Sequence, residues 1–324
     1  MSTNGGTRAI IAALLANLGI AIAKFIGWGL TLSSSMLAES IHSVADSGNQ
    51  ALLLLGGRRS RRKATPQHPF GYGRARYMYA FIVTVVLFTV GGLFALYEGW
   101  QKWSQPHGIT SWHWVPVVVL VSAIVMESFS FRTAVKESNR ERGDASWTDF
   151  VRHSKAPELP VVLLEDLGAL VGLVFALFGV SMTLATGDGR WDALGSAMIG
   201  LLLVAIAIIL ALEMKSLLLG EAASPEHVAK IEEAITGGAP GRLIHLKTLH
   251  LGPDELLVAA KIAVEPGVTA EGVARDIDET EARIRAAVPI ARAIYLEPDI
   301  YRSSASTEAG GGTETGQGRN EATE

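Results

Sequence analysis

Residues 34–55 read SSMLAESIHSVADSGNQALLLL. This run has the length of a membrane span, yet it holds Glu39, His42, Asp46 and Asn49. The spacing of three, four and three residues puts all four on one stripe of a helix. An ionisable side chain in hydrocarbon costs at least about 2.5 kcal/mol, so each one needs a partner or a task. His42 and Asp46 stand one turn apart and can reach a single ion. In a soluble helix the ordinary reading of such a pair is a mutual hydrogen bond. Within an apolar span that bond recovers too little of the burial cost, and shared coordination of a cation becomes the better reading. Neutral imidazole with carboxylate suits Zn²⁺, Fe²⁺, Co²⁺ or Mn²⁺.

The surrounding chain supports a lipid setting. Of 324 residues, 49% are apolar and only 19% charged, too few charges to dress the surface of a soluble protein of this length. The net charge of −4 gives no reason to expect nucleic-acid binding. Cysteine is absent, which excludes disulfides, thiolate metal sites and cysteine nucleophiles. The start, MSTNGGTRAI, lacks the short apolar core and cleavage site of a secretory signal and is read as mature sequence.

Crossing a bilayer takes roughly 20 apolar residues in a helix. Six segments qualify, at about 9–30, 34–55, 77–96, 114–131, 159–184 and 192–212. Basic residues orient them. The loop after the second span holds Arg58, Arg59, Arg61, Arg62 and Lys63. The loop after the fourth holds Arg132, Lys136, Arg140, Arg142, Arg152 and Lys155. The other loops carry one Lys or Arg or none, so both rich loops and both termini are expected on the cytoplasmic side. Trp100, Trp103, Trp112, Trp114 and Trp191 fall near the outer ends of spans and read as interfacial anchors.

Span five adds Glu165 and Asp166. Asp46 and Asp166 lie at similar depths, so His42, Asp46 and Asp166 are expected to face one ion. Glu165 lies about 100° around the helix from Asp166. Glu127 in span four and Glu39 read as supporting or gating groups. In span one, Asn17 and Lys24 share a stripe, and Lys24 either pairs with a carboxylate or snorkels. Asp192 and Ser196 start span six beside Gly195 and Gly200. The small residues read as close helix packing, and Asp192 as an ordinary surface acid or a group aiding release.

Past residue 220 the pattern changes. Ser224-Pro225-Glu226 is a helix start, with an N-cap and Pro at the first helical position. A helix to about Thr236 follows. Strands are expected over 242–251 and 255–264 around the Gly252-Pro253-Asp254 turn, then an amphipathic helix over 269–288 and a strand over 291–297. This αββαβ, ferredoxin-like order predicts a small α+β domain over 221–301. Residues 302–324 have almost no apolar side chains and are expected to be disordered.

Two motifs together resemble the cation diffusion facilitators. One is His42-Ser43-Val44-Ala45-Asp46, preceded by Ser34-Ser35 and Glu39-Ser40. The other is His68-Pro69-Phe70-Gly71-Tyr72-Gly73-Arg74-Ala75-Arg76 before span three. The resemblance covers about residues 8–301. It implies a homodimer in the cell membrane, joined through the cytosolic domain, that exports Zn²⁺ or a related ion in exchange for protons. It also implies a four-ligand site shared by spans two and five. His42, Asp46 and Asp166 match; the remaining position is Val162 where the common pattern has His, and Glu165 then replaces the missing ligand, as in a branch with Glu-Asp here. One His with carboxylates is a harder donor set, which opens Mn²⁺ or Fe²⁺ as alternatives. In the cytosolic domain His245 matches one position of a family zinc site. Lys261 and Leu296 stand where further His would be expected, and His250, Glu297 and Asp299 are off pattern. That domain is therefore expected to dimerise without metal.

The expected mechanism is competition. Metal needs deprotonated ligands, so protons displace it, and His42 is the natural proton partner because imidazole changes charge near neutral pH. An intramembrane metalloenzyme is the poorer reading, since no His-Glu-x-x-His is present. A passive channel and a regulatory membrane subunit that binds metal without moving it are the other rivals.

Overall fold

The computed structural model describes residues 18–106, 108–109, 112–237 and 242–300. The beginning of the predicted first span, Asn17 and the tail 302–324 lie outside the described residues. The chain divides into two compact units, 1–221 with 250–254 and 222–249 with 255–324.

Each predicted span corresponds to a helix. They are α1 (Leu18–Thr31), α2 (Ser34–Ser60), a composite third helix, α5 (Trp114–Arg142), α7 (Glu158–Thr186) and α8 (Arg190–Leu219). The third consists of α3 (Ala75–Val86), a π-helical segment (Leu87–Leu93) and α4 (Phe94–Ser104). Among the described residues, four of the six (the third helix, α5, α7 and α8) are long and apolar enough to cross a membrane. α2 has the length, at 27 residues, but its polar stripe lowers its hydropathy. A short helix, α6 (Trp147–His153), precedes α7 within the stretch expected to be loop; Ser146 caps it by accepting from the Asp149 amide.

The helices outlast the apolar runs, which corrects the predicted boundaries. α5 continues to Arg142, so Arg132, Lys136, Arg140 and Arg142 lie on its last turns rather than in a loop. Arg58 and Arg59 likewise end α2. Lys, Arg, Glu and Ala are strong helix formers, and Arg140 pairs with Glu137 one turn back at 2.9 Å. Cationic groups at a helix C-terminus also complement its dipole. The apolar run measures the hydrocarbon, not the helix.

The bundle faces outward with oil. Ile26, Val44, Val118, Phe129, Leu201 and Leu212 are all exposed on helix surfaces, as lipid-facing positions should be. Inside, Met36, Tyr77, Leu120, Leu173, Ile199, Leu203 and Leu210 form the apolar core. α8 packs against α7, the third helix and α2. Glycines set the distances, as the packing reading of Gly195 and Gly200 anticipated. A Cβ on Gly200 would lie 2.8 Å from the Leu96 nitrogen and 2.9 Å from the Gly92 oxygen, and one on Gly195 3.0 Å from the Phe175 oxygen. Gly200→Val is therefore expected to lower stability by about 1–3 kcal/mol through overpacking. Gly29→Ala, whose Cβ would meet nothing, should be neutral or slightly stabilising. Thermal unfolding of both variants in detergent checks this, and equal midpoints would contradict the packing argument.

The second unit follows its predicted order closely. α9 (Pro225–Thr236) is capped by Ser224, and α10 (Ala270–Ala287) by Thr269. β1 (Leu243–Gly252), β2 (Glu255–Ala263) and β3 (Ala291–Asp299) form one sheet in the order β1-β2-β3. β2 and β3 run parallel, from Leu256 opposite Ala291 to Ala263 opposite Asp299. Ile231, Ile235, Leu256, Val258, Ile262 and Ile284 fill its core.

Candidate metal centre

His42 and Asp46 lie on the buried stripe of α2, with Nδ1 of His42 3.4 Å from Oδ1 of Asp46. That gap is too long for a good hydrogen bond. Neither His42 nitrogen and neither Oδ1 of Asp46 nor Oδ1 of Asn49 has a hydrogen-bond partner, although all are shielded from solvent. Orphaned polar atoms inside a protein are rare and costly, and mark a place for a proton, a water or an ion.

α7 supplies the opposing wall. Oε1 of Glu165 accepts from the Asn49 amide at 2.7 Å, and Asn49 stands one turn past Asp46 on α2, which brings Glu165 to the same stripe. Asp166 turns toward α5, where Ser130 Oγ donates to its Oδ2 at 2.9 Å. The two acids of α7 thus diverge, as their 100° offset requires, and Glu165 is the one beside Asp46. Among the described residues, no three His, Asp or Glu side chains stand close enough together to hold a metal. His42, Asp46 and Glu165 form a partial set, and Asp166 lies outside it in this state.

Supporting groups surround this set. Glu127 of α5 is buried and sits one turn before Ser130. That i, i+3 spacing is the signal by which Ser130 could have been found from sequence. Facing His42 from the third helix is Gly91, where a Cβ would lie 3.7 Å from Nδ1. Gly91 belongs to the π-helical segment, a widened turn of the kind that recurs at functional sites. The sequence reading has one unbroken helix there; only the Gly91-Gly92 pair hinted otherwise.

Lys24 of α1 is fully buried and pairs with a carboxylate, the first of its two predicted fates: Nζ lies 3.2 Å from Glu39 and 2.6 Å from Ser43 Oγ. Asp192 is not a surface acid. It is fully buried, and its carboxylate accepts from Ser33 Oγ at 2.8 Å, the Ser34 amide at 2.8 Å and the Ser35 amide at 3.3 Å. It therefore caps the N-terminus of α2 from another helix. The sequence could not foretell this, because the cap and the helix lie more than 150 positions apart.

In the second unit, Lys261 pairs with Glu297 at 3.0 Å and with Asp299 at 3.2 Å. Those hydrogen bonds raise its pKa above the usual lysine value. An ammonium thus already engages the carboxylates that a metal would need, and His245 is exposed.

Residues 10–219, more than half of the chain, match the model of the cation efflux transmembrane domain. The chain is 32% identical over 266 residues to the mitochondrial proton-coupled zinc antiporter SLC30A9 of Xenopus laevis, covering 81% of this chain and 47% of the antiporter. It is 29% identical over 261 residues to metal tolerance protein C4 of Arabidopsis thaliana, covering 79% and 56%. Against the cation-efflux pump FieF of Pectobacterium atrosepticum it is 26% identical over 255 residues, covering 78% and 79%. The chain thus spans about half the length of the first two relatives.

Proposed function

Because the chain belongs to the cation efflux family, we propose that it exports a divalent metal in exchange for protons, with Zn²⁺ the favoured cargo. His42, Asp46, Glu165 and Asp166 are its ligands. One observation carries this reading: on the α2–α7 seam, where Glu165 reaches Asn49, both His42 nitrogens and Oδ1 of Asp46 are buried without partners, inside a bundle whose outer face is apolar. Asp166 completes the set by releasing Ser130 when an ion enters. Zn²⁺ is favoured by the names of the SLC30A9 relatives. Mn²⁺ or Fe²⁺ is the second reading, favoured by Val162, which leaves a single His among carboxylates.

Coupling follows from chemistry at one place. Metal binds only deprotonated ligands, so the same groups carry protons on the return. Basic residues at the ends of α2 and α5 support a cytosolic position for both termini, on the side where the ion is taken up, and in this reading the αββαβ domain joins two chains there. Reconstitution into proteoliposomes with a pH-sensitive dye tests this. A Zn²⁺ gradient is expected to drive opposing proton movement. Stoichiometric Zn²⁺ binding without flux would instead mark a regulatory subunit, and flux without proton movement a channel.

A further inference from the structure

The Lys24–Glu39–Ser43 cluster is not used by the centre just described. Lys24 and Glu39 are wholly buried, and Oε1 of Glu39 has no hydrogen-bond partner. That oxygen points at α7: a Cβ on Gly172 would lie 2.7 Å from it. Glu39 is seven residues before Asp46 on α2, and Gly172 seven residues after Glu165 on α7. Both steps are two helical turns, so Glu39 faces the same seam about 10 Å nearer the N-terminus of α2. His42 lies between the two levels.

A buried ion pair is a weak source of stability. Apolar replacement of both partners is often neutral or better, and ionisable groups within spans mark ion pathways. The ligands of the Lys24 ammonium, a carboxylate oxygen and a hydroxyl, are also those of a metal cation. The unpartnered Glu39 oxygen supplies a further donor that the ammonium does not engage.

We propose that Glu39 and Ser43 form a second divalent-cation station on the α2–α7 seam, and that Lys24 occupies it in this state as a tethered surrogate cation. Lys24 thereby keeps Glu39 out of the inner donor set and leaves that set with one ion. An ion moving toward the N-terminal end of α2 displaces the ammonium and passes on. This rests on the proposed metal centre, but the station is separable from it by mutation.

The test is calorimetric titration of the purified full chain with Zn²⁺ and with Mn²⁺. Wild type is expected to bind one ion per chain, and Lys24→Met two. Lys24→Met/Glu39→Gln is expected to return to one. Lys24→Met/Asp46→Ala should retain a single ion, held by Glu39. If Lys24→Met does not elute as a folded species, Lys24→Gln takes its place, since it keeps hydrogen bonds to Glu39 and Ser43 without the charge. A single ion in Lys24→Met, or a second ion that survives Glu39→Gln, overturns the station. Failure of wild type to bind any ion overturns the inner centre instead, and the Lys24→Met/Asp46→Ala variant still decides the station on its own.

Discussion

Asp46→Ala is expected to lower Zn²⁺-driven proton flux in proteoliposomes at least a hundredfold while leaving the protein folded. Asp46 is the α2 carboxylate nearest His42, with Oδ1 3.4 Å from Nδ1, whereas Glu39 is held by Lys24. Without it, His42 and Glu165 share no bridging donor and the ion loses a charged ligand. Loss of a hundredfold in affinity corresponds to about 2.7 kcal/mol, modest for a carboxylate–metal bond in a dry site. The bundle itself should tolerate the change. Asp46 makes no capping bond, and its buried Oδ1 has no hydrogen-bond partner to lose. Flux in Asp46→Ala within threefold of wild type, in vesicles matched for protein content, would remove the site.

Asp192→Ala has the opposite profile. It is expected to destabilise the membrane domain by roughly 3–5 kcal/mol, the cost of stripping one partner from a buried charged cluster. That corresponds to a fall of the order of 10 °C in thermal midpoint. The Ser33 hydroxyl and the Ser34 and Ser35 amides lose their acceptor, and Lys102, 3.9 Å away, loses its counter-charge. Lys102 also donates to the Leu32 carbonyl at 3.2 Å. Leu32 has φ of 52°, a left-handed conformation that costs a residue with a side chain about 1–2 kcal/mol. The tight α1–α2 turn is thus held by this cluster, and its loss should fray the end of α2. Asp192→Asn keeps the acceptor oxygen and should lose less than half as much. Differential scanning fluorimetry in detergent reads both, and equal midpoints for Asp192→Ala and wild type would show that the cap is dispensable.

Much of this architecture was readable from sequence because it follows from periodicity and composition. The second to sixth apolar runs, the described part of the first, the Ser224 cap, the Gly252-Pro253-Asp254 turn and the Thr269 helix start all fall in elements where local chemistry put them. Helix ends were misplaced because hydropathy reports contact with lipid, whereas a helix continues as long as its residues favour it. The stripe Glu39, His42, Asp46 and Asn49 was legible for the same reason: spacing on one helix is local. Its partners were not. That Glu165 turns to α2 and Asp166 to Ser130 depends on how α7 is rotated against its neighbours. The rotation is set by close contacts such as Gly179 against the Trp191 oxygen and Gly168 against Ile206. The π-helical turn at Leu87–Leu93 likewise lies in tight packing, where a Cβ on Gly91 would crowd Leu203 and one on Gly92 would crowd Val204.

One cation is proposed to lie between α2 and α7. Anomalous diffraction at the zinc edge, from crystals of the protein grown with Zn²⁺, locates that ion directly. The expected result is a peak about 2.0–2.2 Å from a His42 nitrogen and from carboxylate oxygens of Asp46 and Glu165, with Asp166 drawn away from Ser130 toward it. A membrane domain with no peak on this seam, while His42 and Asp46 hydrogen-bond only each other, would contradict the account.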